Sequence, residues 1–339
     1  MVQPTDFAYH LTQFLSVYLP NYVGASKNTI LSYRDSFSLF LRFSRDHKKI
    51  AVEKLSLDMI DAPFINDFLD WLESERKNSV STRNQRLAAL HAFFRFLQYE
   101  QPQNLASYQK ILAIPMKRGV AASMNYLSLE CVQSLLTQPD TTKLSGRRDV
   151  VLLSLLYDTG ARVQELVDLK VSDIRVTDPM VVKLTGKGRK SRLVPVMTAT
   201  SRLVKQYLEE YGLCHAAYGE YPLFCNRSGK KLTRAGVAYI LNKYVNQAKA
   251  QGTLGFPDKL SPHCLRHSKA MHLLQSGINL IYIRDLLGHV DVKTTEVYAQ
   301  ADEKMKRAAL EAAYESPSPE KIPSWKNDPE LLDWLKSLD

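Results

Sequence analysis

Apolar residues recur at helical spacing through the first third of the chain. In NTILSYRDSFSLFLRF the face is Ile30, Tyr33, Phe37 and Phe40; in DAPFINDFLDWLESER it is Ile65, Phe68 and Leu72. In STRNQRLAALHAFFRFLQ it is Leu87, Leu90, Phe94 and Leu97. Three such stripes predict an all-helical unit over residues 1–113. On the last helix Arg83 and Arg86 read as lying off the apolar stripe, either on a solvated face or against phosphates or base edges. The periodicity then lapses into IPMKRGVAASM, small and basic with Pro and Gly, which marks a linker over residues 114–125.

A second, longer pattern fills residues 126–315. LSLECVQSLL opens it with Ser128 as a helix cap, and RRDVVLLSLLYDTGARVQELVDL reads as an apolar helix broken at Thr159-Gly160 before another that carries Arg162 and Glu165. DPMVVKLTGKGRKSRLVPV has two short β-branched runs around GKGRK, which reads as a β-hairpin. Helical periodicity resumes in RAGVAYILNKYVNQAKA, LSPHCLRHSKAMHLLQSG and LIYIRDLLGH. The fold class is therefore mainly α with a small β-hairpin or sheet: a helical N-terminal domain followed by an α+β domain. Residues 316–339 begin Pro/Ser-rich and end in the short amphipathic LLDWLKSLD.

One of those helices is oddly charged. Ser261 suits the N-cap, Pro262 the first turn and Gly277 the stop, yet the first turns hold His263, Arg266 and His267. A helix N-terminus already favours anions, so basic groups there suggest a bound anion.

Composition narrows the class. The 339 residues suit about two domains, and 45% hydrophobic with 24% charged residues suits chains with packed cores. No run approaches a membrane span, and no secretory signal opens the chain, so a cytoplasmic protein is expected. Cys131, Cys214, Cys225 and Cys264 are scattered without CxxC pairs, which favours reduced thiols. The net charge of +10 is uneven: residues 116–315 hold 29 Lys and Arg against 19 Asp and Glu, whereas residues 1–115 hold 13 against 11. A polyanionic partner is the natural inference.

Several polar residues sit beside apolar runs, where a charge is costly unless paired. Arg162 and Glu165, and likewise His263 and Arg266, are spaced i, i+3; Lys187 sits in a Gly-flanked turn; His289 follows a Gly stop; Tyr298 lies in HVDVKTTEVYAQ. Singly each has a plain structural explanation. Together they offer two guanidiniums, two imidazoles, an ammonium and a phenol, a set suited to charge growing on phosphate oxygens. A zinc enzyme is a poor rival: His263 and His267 are spaced i, i+4, but the intervening residues include Arg266 and no glutamate. A non-cleaving DNA-binding regulator explains the charge but not Lys187 and Tyr298.

The ordered set TGARVQEL, GKGRKSRLVP, HCLRH, LLGH and TTEVYA resembles the tyrosine recombinase (phage integrase/Xer-like) family, and the helices around Thr29–Phe43 and Ser81–Leu97 resemble its core-binding, SAM-like domain. The resemblance implies site-specific recombination of duplex DNA through a 3′-phosphotyrosyl link and a Holliday junction, for integration, transposition or resolution. A nicking-closing topoisomerase would share the chemistry. By the same resemblance Arg162 and Arg266 clamp the phosphate, Tyr298 is the nucleophile and Lys187 protonates the departing oxygen. His263 assists proton removal, His289 bonds a non-bridging oxygen, Glu165 supports Arg162, and His267 stands behind them. Arg83, Arg86, Arg189, Lys190 and Arg234 are candidate DNA contacts. Neither metal, ATP nor another cofactor is implied. The partners implied are double-stranded DNA bearing a recombination site, held in a C-shaped clamp, and a homotetramer. Leu331, Leu332, Trp334 and Leu335 of the tail are expected to dock on a neighbouring protomer. Because the helical unit begins almost at once, a Xer-type or mobile-element enzyme is expected.

Overall fold

The computed structural model describes residues 4–119, 125–186, 188, 190–258, 260–289, 293–301 and 333. The chain divides into two compact units, residues 1–122 and 123–339.

The first unit packs five α-helices: α1 (Asp6–Gln13), α2 (Lys27–Asp46), α3 (Ala62–Ser74), α4 (Val80–Glu100) and α5 (Leu105–Leu112). Side chains at the helix starts accept otherwise orphaned amides: Ser26 Oγ from Thr29 N–H, Asp61 Oδ1 from Phe64 N–H and Ser79 Oγ from Thr82 N–H. Each such cap is worth about 1 kcal/mol. The core is aromatic. Phe14, Phe40, Phe68 and Phe93 are wholly buried, and Phe93 meets the Phe37 ring edge-on at 5.2 Å. Burying one such ring contributes about 1.5–3 kcal/mol. This explains how an α4 that also carries Arg83, Arg86, His91 and Arg95 is held.

The second unit surrounds α7 (Leu144–Asp158), whose residues from Asp149 to Leu156 are all buried. A helix apolar all round belongs at the centre of a fold, and α9 (Thr198–Glu210) and α11 (Pro262–Gln275) pack on it. Its buried acids are paired. Asp149 takes Arg148 and the Tyr244 hydroxyl, and Asp158 takes Lys269 and the Met197 amide. Among the described residues the remaining α-helices of this unit are α6 (Leu129–Thr137), α8 (Val163–Val167), α10 (Arg234–Ala250), α12 (Leu280–Leu287) and α13 (Lys293–Ala301).

The hairpin expected around GKGRK is β2 (Val181–Thr185) against β3 (Ser191–Pro195), antiparallel with Val182 opposite Val194 and Leu184 opposite Arg192. A two-residue strand, β1 (Ile174–Arg175), extends it to an antiparallel sheet in the order β1-β2-β3.

Ser261 and Pro262 do open α11, but the Ser261 side chain caps nothing; its hydroxyl lies 3.8 Å from Cys264 Sγ. Gly277, at φ +80°, turns the chain after α11.

Candidate active site

The site is built where three helix ends meet. The core helix α7 stops at Thr159, and Gly160 turns the chain at φ +57°. A Cβ there would come within 2.7 Å of Leu287 Cδ2 on α12, so the position favours glycine twice over. Gly160→Ala is expected to destabilise the protein by about 1–3 kcal/mol. Thermal denaturation tests this, with Gly24→Ala, at a similar φ of +62° with open space around it, as the control for the backbone share.

Beyond that turn Arg162 occupies the N-cap of α8 in extended conformation. Glu165 folds back on it, with Oε2 accepting the Arg162 amide at 2.9 Å and Oε1 the Arg162 guanidinium at 2.9 Å. The i, i+3 spacing therefore works as a capping box. Burial alone would push the Glu165 carboxyl up, but Arg192 and Arg162 bring it down to about 2.

Arg266, on α11, is only 3% exposed. Its guanidinium donates to Gly160 O at 2.6 Å and to Leu287 O at 2.7 Å, bridging the two helix ends that bracket the site. Burial first, and then Arg162 nearby, lower its pKa to about 10, still charged at neutral pH.

Gly288 ends α12 in the left-handed conformation at φ +65° and delivers His289. The His289 Nδ1 lies 3.0 Å from Thr295 Oγ1 on α13. Burial, followed by Arg266, Arg162 and Arg192, pushes this imidazole down to about 4. It is neutral at pH 7, so it offers an uncharged hydrogen bond.

Below the ordinary value of 6.5 the unfolded chain takes up a proton that folded His289 refuses until about pH 4. Stability is thus present above 6.5 and lost on acidification across that window. His263 and His267 are lowered as well and add to the loss. Thermal melts from pH 7 to 4.5 should show a shallower decline for His289→Gln than for the wild type.

Tyr298, on α13, is 2% exposed and packs with Met271, Leu274, Ile283 and Leu287. Its hydroxyl lies 3.0 Å from His267 Nδ1. Burial raises the phenol pKa, while Arg266 and Arg162 act to lower it.

The structure thus brings together Arg162, Glu165, Arg266, His267, His289 and Tyr298. His263 is exposed, with its ring 6.4 Å from that of His267, and partial burial, Arg266 and Arg162 lower its pKa. The imidazole in contact with the tyrosine hydroxyl is His267. Lys190 and Arg234 are exposed. Lys187, Arg189, the linker residues 120–124 and the tail residues Leu331, Leu332, Trp334 and Leu335 lie outside the described residues.

Arg83 requires a correction. It is 5% exposed rather than off the stripe, because it precedes Leu87 by four residues and so shares its face. Its guanidinium donates to Pro115 O and Asn84 Oδ1. Arg86 is half-buried and donates to Ser32 O and Ser36 Oγ on α2. Both are engaged within the first unit.

The sequence reading missed Arg192. On β3 it shares the inward face with Val194, and it donates to both Glu165 oxygens, at 3.0 and 2.8 Å. A period-2 reading of SRLVP shows the signal: a cation in phase with a buried valine needs a buried acid.

Three guanidiniums against one carboxylate make an anion site, and a tyrosine with an imidazole on its hydroxyl lies in the same field. Residues 125–305 match the phage integrase family and residues 11–101 the phage integrase N-terminal SAM-like domain. A putative integrase/recombinase of Sinorhizobium fredii, y4rC, is 38% identical over 315 residues, 93% of each chain. Tyrosine recombinase XerD of Oceanobacillus iheyensis is 34% identical over 298 residues, 87% of this chain and 94% of its own. XerH site-specific recombinase, bound to difH substrate in a pre-cleavage complex, superposes with a TM-score of 0.66 at 26% identity, covering 86% of this chain and 81% of that one. The Tn1549 transposon integrase in complex with transposon right end DNA shares the fold, with a TM-score of 0.70 at 16% identity over 89% and 98%. The chain belongs to the phage integrase family of tyrosine-type site-specific recombinases.

Proposed function

We propose that the protein cuts and rejoins duplex DNA at a specific site through a covalent tyrosine link. The observation that carries this reading is the contact of His267 with the hydroxyl of Tyr298 beside the Arg162 and Arg266 charges. In the proposed step Tyr298 Oη attacks phosphorus and its proton passes to His267. The bond from phosphorus to the 5′ oxygen breaks, and Lys187 supplies the proton that makes the 5′-hydroxyl. The bond energy stays in the 3′-phosphotyrosyl link, so reversal by a second 5′-hydroxyl requires no nucleotide. Arg162 and Arg266 match the charge building on the non-bridging oxygens, and His289 adds an uncharged donor.

His263, exposed at the mouth of α11, is proposed to contact DNA or the same proton path, and Arg189, Lys190 and Arg234 to contact the backbone. DNA binding should then fall steeply with salt. Four protomers per reaction and exchange through a Holliday junction complete the proposal, set in the bacterial cytoplasm on a mobile element or chromosome. Deleting residues 316–339 should spare DNA binding and weaken the tetramer; unchanged tetramers on target DNA by mass photometry would count against that docking role.

The decisive experiment is covalent trapping in cells. DNA recovered with SDS-denatured protein and sequenced should map to one short site, and attachment to that site in vitro should persist in EDTA. Random recovery, or dependence on added metal, would sink the reading.

A further inference from the structure

Arg192 stands between three pieces of the site. It leaves β3 with its side chain only 14% exposed. Its two terminal nitrogens donate to the two oxygens of Glu165 at 3.0 and 2.8 Å, and its Nε donates to Leu286 O at 2.8 Å. The next carbonyl, Leu287 O, receives Arg266. One planar guanidinium thereby joins the hairpin, the start of α8 and the end of α12.

Two glycines make room for it. A Cβ on Gly288 would come within 2.9 Å of Arg192 Nη1, and a Cβ on Gly186 within 2.8 Å of Glu165 Oε1. Arg192 and its acid thus occupy space that a Cβ at either glycine would take.

The charge count gives the arrangement its consequence. Arg162 with Glu165 alone would be a neutral pair whose guanidinium is turned toward its own carboxylate. With Arg192 also on Glu165, the trio keeps one positive charge, and Arg162, the more exposed of the two arginines at 37%, is where an anion can reach it. We propose that Arg192 is a positioning residue of the recombinase site: by satisfying Glu165 it frees the charge of Arg162 for the scissile phosphate, and by holding Leu286 O it sets the hairpin against the turn that carries His289. The proposal rests on the recombinase reading.

The test compares wild type, Arg192→Gln and Arg192→Lys in single-turnover cleavage of a nicked duplex carrying the site recovered by trapping. The duplex is made twice, with a natural phosphodiester and with an uncharged methylphosphonate at the scissile position. Partners that orient the ligands of metal sites typically contribute about 10–100-fold; acting through Glu165 on the same scale, Arg192→Gln should lose about that much on the phosphodiester, with Arg192→Lys between it and wild type. On the methylphosphonate, which needs no charge neutralised, the gap should largely close. A merely structural role would lower both rates alike, and that result overturns the proposal, as does wild-type speed of Arg192→Gln on the phosphodiester. If Arg192→Gln fails to fold by circular dichroism, Arg192→Met, a neutral side chain of similar length, carries the same comparison. Wild-type protein that cleaves no phosphodiester would instead defeat the recombinase reading itself.

Discussion

Replacing Tyr298 by Phe should abolish the SDS-stable protein–DNA adduct while leaving DNA binding and the fold in place. The aromatic ring stays buried with Met271, Leu274, Ile283 and Leu287, so the packing survives. Only the hydroxyl and its contact with His267 Nδ1 are lost. One net hydrogen bond is worth about 0.5–1.5 kcal/mol, a small change in melting temperature. The chemical loss is total, because no phosphorus–oxygen bond can form. His267→Gln should follow the same direction less completely, with adduct formation slowed by about 10²–10⁴-fold if His267 is the proton acceptor. His263→Gln discriminates between the two imidazoles: the family resemblance gives His263 the proton, while the geometry gives His267 the contact. Timed denaturing gels on the recovered site measure all three. An adduct from Tyr298→Phe would identify a different nucleophile.

The hydroxyl of Tyr298 is also sheltered. Burial raises its pKa, and the guanidiniums that would help it ionise act from Arg266 and Arg162.

Much of this was legible in the chain. The stripes through Phe37 and Phe40, Ile65 and Phe68, and Leu87 and Leu90 all end buried, because helical periodicity records which face meets the core. The hairpin was legible from its β-branched runs and its glycines. Arg162 with Glu165, and Arg266 beside two histidines, were visible because a charge next to an apolar run needs a partner. What the sequence concealed depends on tertiary meeting. The partners of Arg266 are main-chain carbonyls of Gly160 and Leu287, and a carbonyl has no signature in a sequence. Arg83 was misplaced because an arginine in phase with leucines looks like an exception until the carbonyl of Pro115 arrives beside it. β1 is two residues long, too short for any period. His267 could be paired with Tyr298 only once α11 and α13 lay together.

Arg266 carries the second large expectation, because its two roles can be separated. Arg266→Ala leaves two carbonyls, Gly160 O and Leu287 O, without the guanidinium that bridges them. A buried unsatisfied polar group costs about 1–3 kcal/mol, so the variant should melt well below wild type. Arg266→Lys keeps the charge but presents one ammonium where a planar fork spanned two carbonyls. It should recover part of the stability and little of the rate, since losing one preorganised donor to a developing charge costs about 10²–10³-fold. Denaturation profiles and single-turnover cleavage, measured on the same preparations, give the two effects separately. If Arg266→Lys cleaved at the wild-type rate, charge alone would suffice, and the fixed bridge between the end of α7 and the end of α12 would be architecture without a catalytic consequence. A variant that melts near wild type yet cleaves a hundredfold or more slowly would show the opposite: that Gly160 O and Leu287 O serve to aim the guanidinium.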